Sequence, residues 1–175
     1  MGEAFVKIEK YQERWPREFE AEKKALSGAL KEDILSIEHI GSTSVPGLAA
    51  KPILDIAAGV TDLRAAELYI GPLKEFGYEF VHHPHFPQRR FFRRGEWGAG
   101  THHLHLYVYQ SESWNNQILF RDYLRNNSDA MREYERLKVE LARKYASDRT
   151  AYTEGKGPFV EGILAKAKNV WRTML

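Results

Sequence analysis

A chain of 175 residues with 43% apolar and 29% charged side chains fits one globular domain, residues 1–175, and excludes a disordered polypeptide. The formal charge is only +2 with acids and bases interspersed, so no basic block signals nucleic-acid binding. Cysteine is absent, which excludes disulfides, thiolate zinc sites and a thiol nucleophile.

The N-terminal stretch lacks an apolar core of signal-peptide length, and no run is long and apolar enough to cross a bilayer. Met1-Gly2 fits the start of an acylation signal, but Val6 stands where that signal needs Ser or Thr. A cytoplasmic protein is expected. The first helix is predicted over Pro16 to Leu30, since proline suits a first turn and Phe19, Leu26 and Leu30 share a face. A short strand, Ile37 to Ile40, leads through Gly41-Ser42 to a second, Ile53 to Val60, apolar enough to be buried on both faces. Thr61 or Asp62 caps a helix with Leu63, Ala66, Ile70 and Leu73 on its apolar side, and Gly77 ends it.

Strands follow at Tyr78 to His82, Arg89 to Arg93 and His103 to Tyr109, with RRGEWGAG as the hairpin loop between the last two. Ser113 caps a helix through Phe120 and Leu124. Ser128 caps the next, whose Met131, Tyr134, Leu137, Leu141 and Tyr145 recur as a core stripe. A last helix from near Pro158 carries Phe159, Ile163, Ala167 and Val170. This order predicts an α/β (α+β) sheet domain with a C-terminal helical segment.

Chemistry concentrates in three places. Gly41, Ser42 and Thr43 follow a strand, where glycine admits a ligand close to the backbone and free N–H groups and hydroxyls seat phosphate; a capped turn would use the same residues. Asp55 lies inside Ile53-Leu54-Asp55-Ile56-Ala57, where an unpaired carboxylate is costly to bury. It therefore meets a metal, a cation such as Lys51, or several donors, or lies at the strand's open end; a structural ion pair or a hydrogen bond to the Gly41 loop would also account for it. His103 and His105 alternate along a strand and project to one face, with His102 on the other.

With Asp55 they offer two nitrogens and one oxygen, suited to one divalent ion of zinc, manganese or iron. The same pair also fits phosphate binding, proton transfer, or a hydrogen-bonded role on a half-buried face. His82, His83 and His85, beside Pro84 and Pro87, read as solvated loop histidines. Alternation sends Arg90 to one face with Phe92, and Arg89 to the other with Phe91 and Arg93. Arg90 is the arginine expected to neutralise a phosphate, helped by Lys51, and Lys156 can reach an anion at the start of the last helix.

The segments EHIGSTSVPGLAAKPILDI (Glu38 to Ile56), HLHLYV (His103 to Val108), ILFRDYLR (Ile118 to Arg125) and YTEGKGPFVEGIL fall in one order that resembles the GrpB family, from Trp15 to the last helix. That family is similar to the nucleotidyltransferase superfamily, so the resemblance implies a nucleotidyltransferase-like mixed β-sheet flanked by helices. The superfamily motif is a Gly-Ser pair followed a short way on by an Asp-x-Asp or Asp-x-Glu pair; here twelve residues separate Ser42 from Asp55. Active members use that pair and a third acid to hold two magnesium ions.

This chain departs there, with Ala57 in place of the second acid and His103 and His105 on the strand expected to bring the third. Glu38 shares the face of Ile40 and is not placed by the pattern. The resemblance implies a nucleotide or other small phosphorylated molecule as partner, with transfer of a nucleotidyl or phosphoryl group through one metal ion. The alternative is a non-catalytic nucleotide- or anion-binding module. Fusion of some members to dephospho-coenzyme A kinase fits either, and a protein-interaction role for the helical tail is a third reading.

Overall fold

The computed structural model describes residues 5–174; Met1-Gly2, and with them the start of the acylation motif, lie outside the described residues. Helix α1 (Arg14–Leu30) starts ahead of Pro16, which thus sits in the first turn, where its missing N–H costs nothing. The helix buries Trp15, Phe19, Leu26 and Leu30 at helical spacing, together with one charged residue, Glu22. Strand β1 (Ile34–Ile40) is longer than its apolar end suggested. A single 3₁₀ turn (Ser42–Ser44) and a loop then lead to β2 (Leu54–Val60), in which every residue but Asp55 is buried.

Asp62 caps the next segment by accepting from Arg64 N at 2.8 Å, but Leu63–Tyr69 winds as 3₁₀ helix before a short α2 (Ile70–Glu75). Strands β3 (Glu79–Val81), β4 (Arg89–Glu96) and β5 (Ala99–Val108) follow. The pairing of Glu96 with Ala99 leaves only Trp97 and Gly98 to turn the hairpin, so most of the expected loop is strand. Gly98 takes φ 84°, which only glycine adopts at no steric cost.

The chain ends in α3 (Glu112–Asn126), α4 (Ser128–Lys144), α5 (Arg149–Gly155) and α6 (Gly157–Met174). Ser111, not Ser113, caps α3, because its hydroxyl is the one that reaches Trp114 N, at 3.3 Å. At α4 the cap position is Asn127, and Ser128 is already helical. Helix α5 has no counterpart in the sequence reading, being too short to show a period; Asp148 caps it by accepting from Ala151 N at 3.0 Å.

The five strands lie in the order β1-β2-β5-β4-β3, with β2 and β5 parallel and every other pair antiparallel. One face is sealed by α1 and the segment from Leu63 to Leu73, which enclose Ile56, Leu104, Leu106 and Phe92. Each such side chain contributes roughly 1.5–3 kcal/mol by leaving water. On the other face Ile40, Ala57 and Tyr107 pack under Trp114 of α3. The same face also carries Asp55 and His103, which α3 does not cover. Val45, Leu48, Leu124 and Tyr134 form a separate cluster that fixes the loop after β1 to α3 and α4. No helix among the described residues is long and apolar enough to cross a membrane.

Candidate functional site

The parallel register sets Asp55 beside His103 and Ala57 beside His105. Alternation then brings the carboxylate and both imidazoles to one face. Asp55 Oδ1 lies 3.1 Å from His105 Nε2 and 3.4 Å from His103 Nδ1. Burial resists the charge on Asp55, but hydrogen bonds with the two imidazoles outweigh it and hold the carboxyl well below the usual range. Burial likewise pushes the His105 imidazole down, and the nearby Arg89 adds to this, against the pull of Asp55. The pair is thus a charged carboxylate against a neutral ring near neutral pH.

Gly41 is needed here for space as well as conformation. At φ +71° a Cβ on Gly41 would stand 2.6 Å from Asp55 Oδ2, well inside van der Waals contact. The loop that follows holds itself: Ser44 Oγ donates to Gly41 O at 2.5 Å, and Thr43 Oγ1 contacts His39 Nε2 at 2.8 Å. Thr43 is buried and its hydroxyl is engaged by His39, so it braces the loop, and it lines the adjoining cavity together with Ser42 and Lys51.

That cavity, about 310 Å³, is closed on its far side by α4 and α5. Lys51 Nζ and Lys156 Nζ lie 5.1 and 4.8 Å from the centre of the Tyr152 ring. Lys138, 2% exposed, lies 5.0 Å from the Tyr134 ring and donates to Ala49 O. Glu135 Oε1 accepts from Ala49 N at 2.7 Å, so α4 grips Ala49 by both its backbone polar groups. Burial, then repulsion by Lys156 and Lys51, pushes Lys138 down to about 7, with Glu135 opposing. Burial and Lys51 push Lys156 down to about 8.

The arginine in the cleft is Arg89, not Arg90. Arg90 pairs with Leu106 in the sheet, on the opposite face, and donates to Pro87 O at 3.0 Å. Arg89 opposes Tyr107, on the face of the histidines, with Nη1 3.3 Å from His105 Nδ1 and Nη2 3.0 Å from His83 Nδ1. Its guanidinium lies against the rings of Phe86 and Phe91, at 5.0 and 5.2 Å. His83 stacks on Phe91 at 5.2 Å and belongs to this wall, unlike the exposed His82 and His85. Glu38 lies away from the cavity, accepting from Arg121 Nη1 at 2.6 Å and tying α3 to β1.

Asp55, His103 and His105 offer three ligand atoms within 4.8 Å of one another. One oxygen and two nitrogens fit a single transition ion and do not fit a pair of magnesium ions, which prefer oxygen. Such an ion on His105 Nε2 sets a condition. A guanidinium only donates, so its contact with Nδ1 puts the ring proton on Nε2, facing Asp55. Loading Nε2 requires the other tautomer, and hence requires Arg89 to turn away.

Lys138 and Tyr152 line the cavity although the sequence pattern does not single them out as ligand-facing, while Tyr134 stays in the core stripe expected of it. A signal for Lys138 existed: it follows Tyr134 by four positions and precedes Leu141 by three, on the buried stripe of its own helix. A lysine on a core stripe needs a reason.

Solved structures place this arrangement of sheet and helices in the nucleotidyltransferase-like fold. Cid1 poly(U) polymerase, solved with Mg 3′-dATP bound, matches with a TM-score of 0.57 over 85% of this chain and 49% of that one, at 15% identity. The family model described as GrpB protein matches residues 5–166, and the chain belongs to the GrpB family. The crystal structure of GrpB from Enterococcus faecalis is 36% identical, with a TM-score of 0.86 over 94% of this chain and 99% of that one.

A UPF0157 protein of Pseudomonas aeruginosa is 44% identical over 156 residues, 87% of this chain. The glutamate-rich protein GrpB of Alkalihalophilus pseudofirmus is 39% identical over 158 residues, 88% of this chain and 91% of that one. The match spans 64% of the Pseudomonas protein's length.

Proposed function

We propose that the cleft binds a nucleotide or another phosphorylated small molecule, with its phosphates beside Ser42 and against Lys51, Lys138 and Lys156. The observation that carries this reading is the convergence of three lysines and Arg89 on one cavity whose lining holds a single acid, Asp55. Ammonium groups crowded and buried in this way repel one another, and an anion among them relieves the repulsion. Arg89 also keeps a buried N–H on Nε with no partner among the described residues, a donor that a ligand oxygen can satisfy. Lysines offer point charges and the arginine a planar fork, the two usual ways of holding phosphate. The nucleotides named with Cid1, a UTP analog and MgATP among them, support a nucleotide as the class.

A second reading rests on the three ligand atoms of Asp55, His103 and His105. Here the cleft transfers a phosphoryl or nucleotidyl group, and a single divalent transition ion, when bound, polarises a phosphoryl oxygen. Asp55 and the two imidazoles would hold that ion, while Ser42 and the lysines orient the phosphate. Without it the cleft is a non-catalytic binding module.

A thermal-shift series separates these readings, using nucleotides, coenzyme A precursors, zinc and manganese on the wild type and on Asp55→Asn. The phosphorylated ligands are expected to raise Tm in both proteins, by an amount set by concentration over affinity. The metal shift is expected in the wild type alone. Absence of any shift with phosphorylated compounds overturns the binding reading, and absence of metal uptake overturns the transfer reading.

A further inference from the structure

Resting on the phosphate-binding reading above, we infer that Lys51, Lys138 and Lys156 do the work of the missing magnesium pair: the cleft holds a di- or triphosphate by protein cations alone. The register makes the substitution concrete. Beside Asp55, the positions that would complete a three-acid site are Ala57 and the imidazoles of His103 and His105, so the oxygen donors that magnesium needs are not there. Facing them across the same cavity stand Lys51, Lys138, Lys156 and Arg89. Set against the lone carboxylate, these four cations leave an excess of about three positive charges when all are protonated. That excess matches a di- or triphosphate and exceeds what a monophosphate or a carboxylate would neutralise.

The geometry also says what binding does to protons. Lys138 faces Lys156 from the α5–α6 junction, Lys51 from the loop before β2, and Glu135 from its own helix; Lys156 faces Lys51, with Asp55 of β2 opposite. Tyr134 and Tyr152, the rings beneath the ammonium groups, are both raised by burial and stay neutral. The groups of this wall that titrate near neutrality are therefore lysines, Lys138 at about 7 and Lys156 at about 8. A polyanion seated among them favours their charged forms, so protons are taken up as it binds. Affinity falls as pH rises through this range, by up to about tenfold per pH unit for each proton taken up.

Isothermal titration of the full chain with inorganic tripolyphosphate, and separately with ATP, tests this in EDTA and in excess magnesium. Two buffers of different ionisation enthalpy count the protons. Binding in EDTA that magnesium does not strengthen, proton uptake near neutral pH, and weakening on the alkaline side are expected. Lys156→Met should lower affinity by about tenfold or more and reduce the proton count. Lys138→Met should do the same, but it also releases the Ala49 peptide, so Lys156→Met carries the test if that variant fails to fold. Binding that needs magnesium, or that takes up no protons and ignores Lys156→Met, overturns the inference and leaves the phosphate-binding reading standing. No binding of either compound under any condition overturns both.

Discussion

Two carboxylates flank strand β5, one on each face of the sheet; each meets a histidine of that strand, but their other neighbours differ. Glu22 on the sealed face meets Tyr78 Oη at 2.7 Å, both terminal nitrogens of Arg94 at 2.8 and 3.0 Å, and His102 at 3.8 Å. Asp55 on the open face meets two imidazoles and, among the described residues, no arginine. Glu22 is matched by a permanent cation and a hydroxyl, and its side chain is 11% exposed against 30% for Asp55. An acid paired with a fixed charge holds a fold together. An acid paired with groups that can lose or exchange a proton, beside a cavity of spare cations, is equipped to meet something from outside.

The largest expected effect tests the sealed side. Glu22→Ala strands the Arg94 guanidinium and the Tyr78 hydroxyl, and should cost about 3 kcal/mol in chemical denaturation. Ligand binding by the surviving folded protein should not change. If it does, the two acids are coupled through β5 and the comparison breaks.

A somewhat smaller effect concerns His39, which is buried, stacks on Phe19 at 4.8 Å and contacts Thr43 at 2.8 Å. Burial pushes its imidazole from 6.5 down to about 4, against the pull of Asp55 and with help from Arg125 and Arg121. Because the folded value lies below the unfolded one, the stability it contributes is present above 6.5 and is lost as pH falls from there towards 4. The loss integrates to roughly 3 kcal/mol at most. His39→Gln should flatten the acid limb of a stability–pH curve; an unchanged limb would show that other groups set it.

The smallest effect is on the open side. Asp55→Asn keeps the shape but gives up a charge that both imidazoles favour, so it should cost about 1–2 kcal/mol, less than Glu22→Ala, while any metal-induced shift disappears. A loss as large as that of Glu22→Ala would make Asp55 a structural acid.

The strands and most helices were legible because their apolar residues keep a period of two or nearly four. The carboxylate and the two histidines were legible for a related reason, being polar groups at positions where that period predicts burial. The other wall was not. Choosing Arg89 over Arg90 requires the register of β4 against β5, which pairing sets and composition does not. Lys156 comes beside Lys51 only because α5, too short to announce itself, turns the chain back over the loop. Lys138 was present on a stripe already assigned to the core, and a lysine there reads as an interruption until its partners are known.

The grip of α4 on the Ala49 peptide has a mechanical consequence. Glu135 holds the N–H of Ala49 and Lys138 its C=O, which belong to the two successive peptide units on either side of that residue, and Ala50 bridges to Glu9, so this part of the loop is pinned from two directions. Lys51 is the next residue along. The backbone that carries Lys51 is therefore set by α4 and the Glu9 bridge together, so one of the cleft's cations is positioned by parts of the chain that lie outside the sheet.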